Sequence, residues 1–341
     1  METEVLIIGG GPAGATCGSL LRQRGVDCLI VDHTDFPRDK VCGGGLTPRG
    51  WMLLERLLPG LEYDYHAVSH IRLLIEGKPA CEFDARKELR IVQRSRFDHV
   101  LLSYFMAHGG QFLKGAPAAI DEHEDGSLTV TLKSGQQVNC RYLVGADGSS
   151  SFVRRHLTGN NDRGFIAREQ YMERGAFDGT DDIVTDLIRH KGSGGYFYRF
   201  PNPLHDVVGY GDDHTTTKRY HEVMSSKHIP EGKMRGAYIY QSNDYPVREH
   251  IILIGDAGGF CNRLSGEGLH DAFLTASNAA QAIASGVPFA QTNRKVFRKK
   301  KLEGRIKRLF YSGTGFALLR LMSRWPRLVK WCFDHGVGPA A

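Results

Sequence analysis

The sequence predicts an α/β fold in which a parallel-sheet domain is interleaved with a second, mostly antiparallel sheet and followed by a helical C-terminal segment. Three observations carry this prediction. Short apolar runs, Val5–Ile8, Cys28–Val31, 142–146 and Ile251–Ile254, each lead straight into Gly or Asp, the pattern of strands buried on both faces of a parallel sheet. Between about 160 and 245 the chain becomes rich in Tyr, Gly, His and Asp, with short aromatic stretches such as Tyr196 to Phe200. From Asn293 onward it turns basic, with helical spacing of its apolar residues.

The first run, Val5–Ile8, ends in Gly9, Gly11 and Gly14, a G-x-G-x-x-G turn. Ala13 to Arg24 then reads as a helix with Leu20 and Leu21 on its apolar side and Gly25 as its stop. Cys28–Val31 returns as a second strand and ends at Asp32, 23 residues after Gly9. Parallel strands need such a crossover. In this arrangement the first glycine permits a sharp turn, the second lets a pyrophosphate approach the backbone, and the third lets helix pack on strand. The helix N-terminus meets the phosphate charge, and Asp32 is placed to accept from ribose hydroxyls. The same turn serves nicotinamide and flavin dinucleotides alike, and a glycine-rich turn can also merely pack.

Further along, Ser127–Leu132 alternates, Gly135 turns and Gln137–Cys140 returns, so a hairpin is expected just before a separate strand at 142–146. Ile251–Ile254 is a strand of the same kind, and Leu269–Ser285, later in the chain, is a helix. The domain division that follows is 1–67, 93–158 and 246–290 for the nucleotide domain, 68–92 and 159–245 for the inserted sheet, and 291–341 for the C-terminal segment. There, Leu302, Ile306 and Leu309 recur at helical spacing with Lys301, Arg305 and Arg308 on a flank, and Pro326 is expected to break or kink the stretch Phe316–Phe333.

Bulk properties narrow the class. At 341 residues and 41% hydrophobic the chain can bury a large core. Its formal charge is +6, but residues 294–308 hold nine Lys or Arg against Glu303, which is +8, so the rest sums to −2. A charge confined to one segment is a local device and not a field suited to nucleic acid, and no nucleic-acid partner is expected. The segment 294–331 reads either as an interfacial amphipathic region in peripheral contact with a membrane or as a solvated basic helix packed on the body. Seven cysteines, at 17, 28, 42, 81, 140, 261 and 332, form no C-x-x-C pair and no metal-ligand spacing. With an acidic start, Met1-Glu2-Thr3-Glu4, and no 18-residue apolar run, a cytoplasmic protein with reduced thiols is expected.

Several motifs point to a particular family. Gly145-Ala-Asp147-Gly148-Ser-Ser-Ser151-Phe-Val-Arg154 resembles the Asp-Gly motif of the flavoprotein monooxygenase and geranylgeranyl reductase superfamily. Gly255-Asp256-Ala257-Gly258-Gly259-Phe260, followed by Gly266-Glu267-Gly268-Leu269, resembles its Gly-Asp motif. Lys40-Val-Cys42-Gly-Gly-Gly45-Leu-Thr-Pro-Arg49 looks like the cysteine-glycine segment of geranylgeranyl reductase relatives, and Arg94-Ser-Arg-Phe97-Asp98 resembles their arginine element. The resemblance spans roughly residues 3–285 and implies a Rossmann-like FAD-binding domain. It implies FAD as cofactor, with NAD(P)H as a transient electron donor that has no domain of its own. The cofactor-binding set it implies is Gly9, Gly11, Ala13, Gly14, Asp32, Cys42, Gly43, Gly45, Arg94, Ala118, Asp147, Asp256, Gly266, Gly268 and Leu269. Asp256 is suited to accept from ribityl hydroxyls, Gly266 and Gly268 to let the backbone approach the ring, and the helix from Leu269 to stabilise negative charge on the reduced ring.

Gly195-Tyr196-Phe-Tyr198-Arg-Phe200-Pro201 resembles the Y-x-W-x-F-P element of geranylgeranyl reductases, with Tyr198 where tryptophan is usual and Ser193 where proline is usual. Arg263 likewise replaces a usual proline. On a strand Tyr196, Tyr198 and Phe200 share one face, either as an aromatic wall for an extended apolar or lipid-like substrate or as an ordinary packed sheet face. The catalytic candidates are Cys42, as a residue lining the pocket or acting as a redox or packing thiol, with Tyr196 and Tyr198 as proton donors. Four activities are compatible. They are reduction of C=C bonds in an isoprenoid or other apolar substrate, aromatic monooxygenation with NAD(P)H and O2, halogenation, and cofactor binding without catalysis. Halogenation is disfavoured because W-x-W-x-I-P is absent and the tryptophans are Trp51, Trp325 and Trp331.

Overall fold

The computed structural model describes residues 1–159, 164–190, 193–242, 244–246 and 248–337. Two sheets organise it. In the first, the strands run in the order Gln111–Lys114, Cys28–Asp32, Glu2–Ile8, Gln137–Gly145, Leu128–Leu132 and Pro117–Glu122, and Ile251–Leu253 also pairs with Gln137–Gly145. The pairings on both sides of Glu2–Ile8 are parallel, and Val5, Leu6 and Ile7 are buried on both faces, as their unbroken aliphatic pattern requires. The helices Pro12–Arg22, Arg94–Ala107 and Leu269–Ser285 pack together over one face of this sheet.

The hairpin at 128–140 is present, but its second limb does not stop. Gln137–Gly145 is one strand, antiparallel to Leu128–Leu132 over its first half and parallel to Ile251–Leu253 over its last three residues. The expected separate strand at 142–146 is therefore the continuation of the hairpin, because Arg141 exposes its side chain in step with the alternation and no turn residue interrupts it.

The second sheet has eight strands in the order Arg235–Tyr240, Gly164–Met172, Asp206–Asp212, Ser193–Pro201, Ile183–His190, His66–Ile75, Lys78–Ile91 and Gly45–Leu46. Its pairings are antiparallel except that between Ile183–His190 and His66–Ile75. Gly45–Leu46, expected in the nucleotide domain, hydrogen-bonds the edge of this sheet through Ile91. The chain thus passes from the first sheet to the second and back twice.

The C-terminal segment forms three helices, Arg294–Phe310, Gly313–Met322 and Pro326–Val337. Pro326 breaks the stretch, as expected, without kinking a helix. It opens a new one, where its missing N–H costs nothing. The break before Gly313 is capped by Ser312, whose hydroxyl accepts from Gly315 N at 3.0 Å.

Candidate active site

The glycine turn is built as its chemistry requires. Gly9 has φ +110°, and a Cβ there would stand 2.3 Å from Ala146 O. A Cβ on Gly14 would stand 1.9 Å from Gly9 O, so helix and strand touch at this residue. Gly11 differs: an added Cβ would meet only the mobile end of Arg38, at 3.3 Å. Its backbone is open on the side from which a diphosphate must come. Gly11 is also the N-cap of Pro12–Arg22 and supplies no side-chain cap, leaving the helix N–H groups available to an anion. Asp32 braces the turn, accepting from Gly10 N at 2.8 Å through Oδ2 and from Thr34 N at 3.0 Å through Oδ1. Oδ1 accepts from the Thr34 hydroxyl as well, at 2.8 Å, whereas Oδ2 keeps a second lone pair for a ribose hydroxyl.

The Asp-Gly and Gly-Asp motifs meet this turn. Ala146 N donates to Ile8 O at 2.8 Å, and a Cβ on Gly255 would lie 2.9 Å from Cβ of Ala13. Asp147 holds the start of the helix Phe152–Thr158, its Oδ2 accepting from Phe152 N at 2.6 Å, while Ser151 is the N-cap. Among the described residues its Oδ1 and the Ser149 hydroxyl are buried without a hydrogen-bond partner, and burial raises the Asp147 carboxyl above the usual range. Buried polar atoms are rarely left so, and a polar ligand suits them. Arg154 locks the two motifs together: it donates to Ser149 O at 2.7 Å and to Ala257 O at 3.2 Å, with its guanidinium 3.6 Å over the Tyr240 ring. Asp256 sits in a single 3-10 turn, Gly255–Gly258, where its Oδ1 would be 3.4 Å from a Cβ on Gly268. Gly268 is the uncapped N-terminal residue before Leu269–Ser285, a second helix end with free N–H groups.

The cysteine-glycine segment docks on the same turn. Thr47 and Arg49 both hydrogen-bond Glu267, the acid between Gly266 and Gly268. Gly266 has φ +68°, and a Cβ there would strike the Tyr196 hydroxyl at 2.3 Å. That hydroxyl donates to Ser265 O at 2.6 Å, so the aromatic strand of the second sheet is fastened to the loop of the first. Gly43 and Gly45 make room for a protein ring: added Cβ atoms would lie 2.4 and 3.0 Å from Phe200.

Tyr196, Tyr198 and Phe200 form the expected row, with successive ring centroids 5.8 and 5.6 Å apart. Tyr198 stands opposite Gly209, which in turn stands opposite Glu169. Because Gly209 has no side chain, the Tyr198 ring crosses over it and its hydroxyl reaches Glu169 Oε2 at 3.0 Å. The other oxygen, Oε1, accepts from Cys42 N at 2.9 Å. Glu169 is 0% exposed. Burial pushes its carboxyl up to about 7, against the hydrogen bonds from Tyr198 and Cys42 and the nearby charges of Arg94 and Lys40. Burial, then Glu169, raises the Tyr198 phenol well above its ordinary value. Arg94 lies between Asp98, which it grips at 2.8 and 2.9 Å, and the Cys42 sulfur.

Thus all but one of the expected residues converge. Ala118 stands apart, exposed on the edge strand Pro117–Glu122, three residues beyond Gly115, whose N–H donates to Asp32 O at 2.8 Å. Glu169 and Arg38 were not singled out from the sequence. A basic residue shortly after Asp32 was a usable signal for Arg38, whereas Glu169 carried none.

The base of the site is fixed by the C-terminal helices. Lys300, 0% exposed, donates to Asp271 at 2.5 Å and to Glu303 at 3.0 Å, and Glu303 accepts from Asn262 at 3.2 Å and from Arg263 N at 3.4 Å. Arg263 also donates to Ser242 O. No group of three His, Cys, Asp or Glu able to hold a metal occurs among the described residues, and none of their helices is long and apolar enough to cross a membrane.

Residues 2–202 match a family model described as FAD binding domain. The menaquinone reductase of Mycolicibacterium smegmatis is 28% identical, covering 84% of this chain and 77% of its own length. The chloroplastic geranylgeranyl diphosphate reductase of Arabidopsis thaliana is 24% identical, over 84% of this chain and 66% of its own. Among solved structures, a geranylgeranyl bacteriochlorophyll reductase-like protein of Thermoplasma acidophilum superposes with a TM-score of 0.74 at 17% identity, covering 98% of this chain and 99% of that one. PqsL of Pseudomonas aeruginosa, "a probable FAD-dependent monooxygenase", gives the same TM-score at 16% identity, covering 95% and 100%.

Proposed function

Because the chain belongs to the FAD binding domain family and is an FAD-dependent oxidoreductase by that membership, we propose that it reduces carbon–carbon double bonds of an isoprenoid or similarly apolar substrate. The observation that carries this reading is the Tyr198–Glu169 pair beside Cys42, set into an aromatic row whose hydroxyls are already satisfied by the protein. FAD, when bound and reduced by a nicotinamide or another two-electron donor, supplies a hydride. Saturating an alkene takes that hydride on one carbon and a proton on the other, so the protein must furnish the proton in a dry place.

Glu169 is suited to hold it. Near pH 7 about half of its carboxyl is protonated, and the neutral acid donates from Oε2 to the Tyr198 oxygen, which frees the phenol hydrogen to point toward substrate. The phenol alone is a poor acid here, since burial disfavours its anion. Passing one proton on while receiving another from Glu169 leaves no phenolate behind. Tyr196, Tyr198 and Phe200 orient an extended apolar chain by contact, and Arg94 holds the cysteine loop against Asp98. Two named relatives, a menaquinone reductase and a geranylgeranyl diphosphate reductase, favour a polyprenyl substrate.

Anaerobic stopped-flow of the photoreduced holoprotein tests the reading. Mixing with a polyprenyl quinone or prenyl diphosphate is expected to reoxidise the flavin, with a product two mass units heavier. No response to any polyprenyl alkene, together with rapid reoxidation by air and oxygen delivered to an aromatic substrate, would establish the monooxygenase instead.

A further inference from the structure

We propose that the outward face of the three C-terminal helices is a docking surface for an anionic phospholipid bilayer, against which the protein lies without inserting a span. Eight of the twelve large hydrophobic side chains that stand exposed among the described residues belong to this one segment. Scattered exposed leucines are ordinary; a concentration of this kind marks an interaction site.

The folding of the segment does not account for it, because each helix already has a buried face. Val296, Lys300 and Glu303 are buried on the first. Tyr311 and Phe316 join Ile75 and Leu187 of the second sheet, and Val329 and Phe333 pack on Val68, Phe83 and their neighbours. A second face of each helix is apolar again. On the first helix Leu302, Ile306 and Leu309 follow one stripe, with Leu309 63% exposed. Leu318 and Leu321 stand exposed on the second, and Trp325 just before the third, with Leu328 and Trp331 on it, the tryptophans 53% and 57% exposed. A helix apolar on two faces is expected to bury both.

Charge selects the partner. Arg294, Lys295, Arg298, Lys301, Arg305 and Arg308 stand exposed beside the first stripe, and Arg324 and Arg327 beside the tryptophans. The one acid between 294 and 331, Glu303, is buried and already engaged by Lys300. An apolar stripe with flanking cations and tryptophan rings matches the layered chemistry of a lipid interface, with acyl chains beneath anionic headgroups.

Flotation of the FAD-loaded full chain with vesicles tests this independently of the redox reading. The protein is expected to float with phosphatidylcholine vesicles containing phosphatidylglycerol, less with phosphatidylcholine alone, and progressively less as salt rises. W325A/W331A is expected to weaken binding by about 100-fold, and K301E/R305E/R308E to abolish the preference for phosphatidylglycerol, with about 5-fold lost per cation removed. Both variants change exposed side chains, so flavin content and circular dichroism should match the parent. No flotation of the parent at low salt, or equal flotation of parent and variants, overturns the proposal. So does a parent that binds no vesicles but forms a concentration-dependent dimer lost in W325A/W331A, which would assign the face to a second copy of the chain.

Discussion

Glu169 lies at the meeting point of three strands and the cysteine loop, and its protonation has a measurable consequence for folding. Its carboxyl is near 4.5 in an unfolded chain and near 7 when folded. A raised value means that the folded protein favours the neutral acid, so the full contribution is present below about pH 4.5 and is lost as pH rises through 7. The loss amounts to about 3 kcal/mol for a shift of this size in a fully buried group. Denaturant titrations are therefore expected to find the parent less stable at pH 8 than at pH 5, with Glu169→Gln narrowing the difference; an unchanged gap would refute the assignment. In single-turnover substrate reduction the same variant should be slower by about 100-fold, and its rate should no longer fall above pH 7. Gly14→Ala argues from space alone. Its Cβ would stand 1.9 Å from Gly9 O, a backbone atom that cannot swing away. Loss of bound flavin, read as the 450 nm absorbance per protein, and a penalty of about 1–3 kcal/mol are expected. The roles of Gly9, Gly11 and Gly14 could be read from the sequence because the turn is local. Glu169 could not, since the groups it joins lie 29 and 127 residues away along the chain.

The helix Arg294–Phe310 illustrates how a run of like charges conceals a structural residue. From the sequence its cations form one basic flank, yet Lys300 points inward to Asp271 and Glu303, where the start of Leu269–Ser285 and the Gly266 loop are held. Burial would raise the Asp271 carboxyl, but hydrogen bonding from His270 and the charge of Lys300 keep it well below the ordinary carboxylate range. A depressed value contributes stability above the unfolded value of about 4 and loses it as pH falls further. Lys300→Met removes the buried cation that the two carboxylates share, leaving Asp271 with His270 and Glu303 with the more distant Lys299, and is expected to cost about 3–5 kcal/mol by denaturant unfolding, with the acid limb of the stability profile displaced upward. A cost within experimental error would mean that this helix does not brace the loop. The continuous strand Gln137–Gly145 was also divided in the sequence reading, because its two halves serve different partners and therefore carry different hydrophobic periods.

Across the entire fold, the nucleotide turn, the Asp-Gly loop, the Gly-Asp loop and the tyrosine strand are linked by hydrogen bonds that join both sheets. The order of the motifs was enough to foresee two interleaved sheets; the side chains that fasten them, Arg154, Thr47 and Arg49, are contacts between distant segments that no local pattern encodes. One cooperative transition is expected when the apoprotein is heated, and FAD at about 100 times its Kd should stabilise it by about 2.7 kcal/mol. Two resolved calorimetric transitions, with only one moved by FAD, would contradict that coupling. The interleaving also bears on synthesis. Gln137–Gly145 emerges from the ribosome with part of one edge unfilled, and its partner Ile251–Leu253 follows only after about a hundred further residues. For those seconds of translation an apolar strand edge is open to pairing with other nascent chains, so the cellular yield should depend on holdase chaperones and improve when elongation across 146–250 is hastened by codon choice.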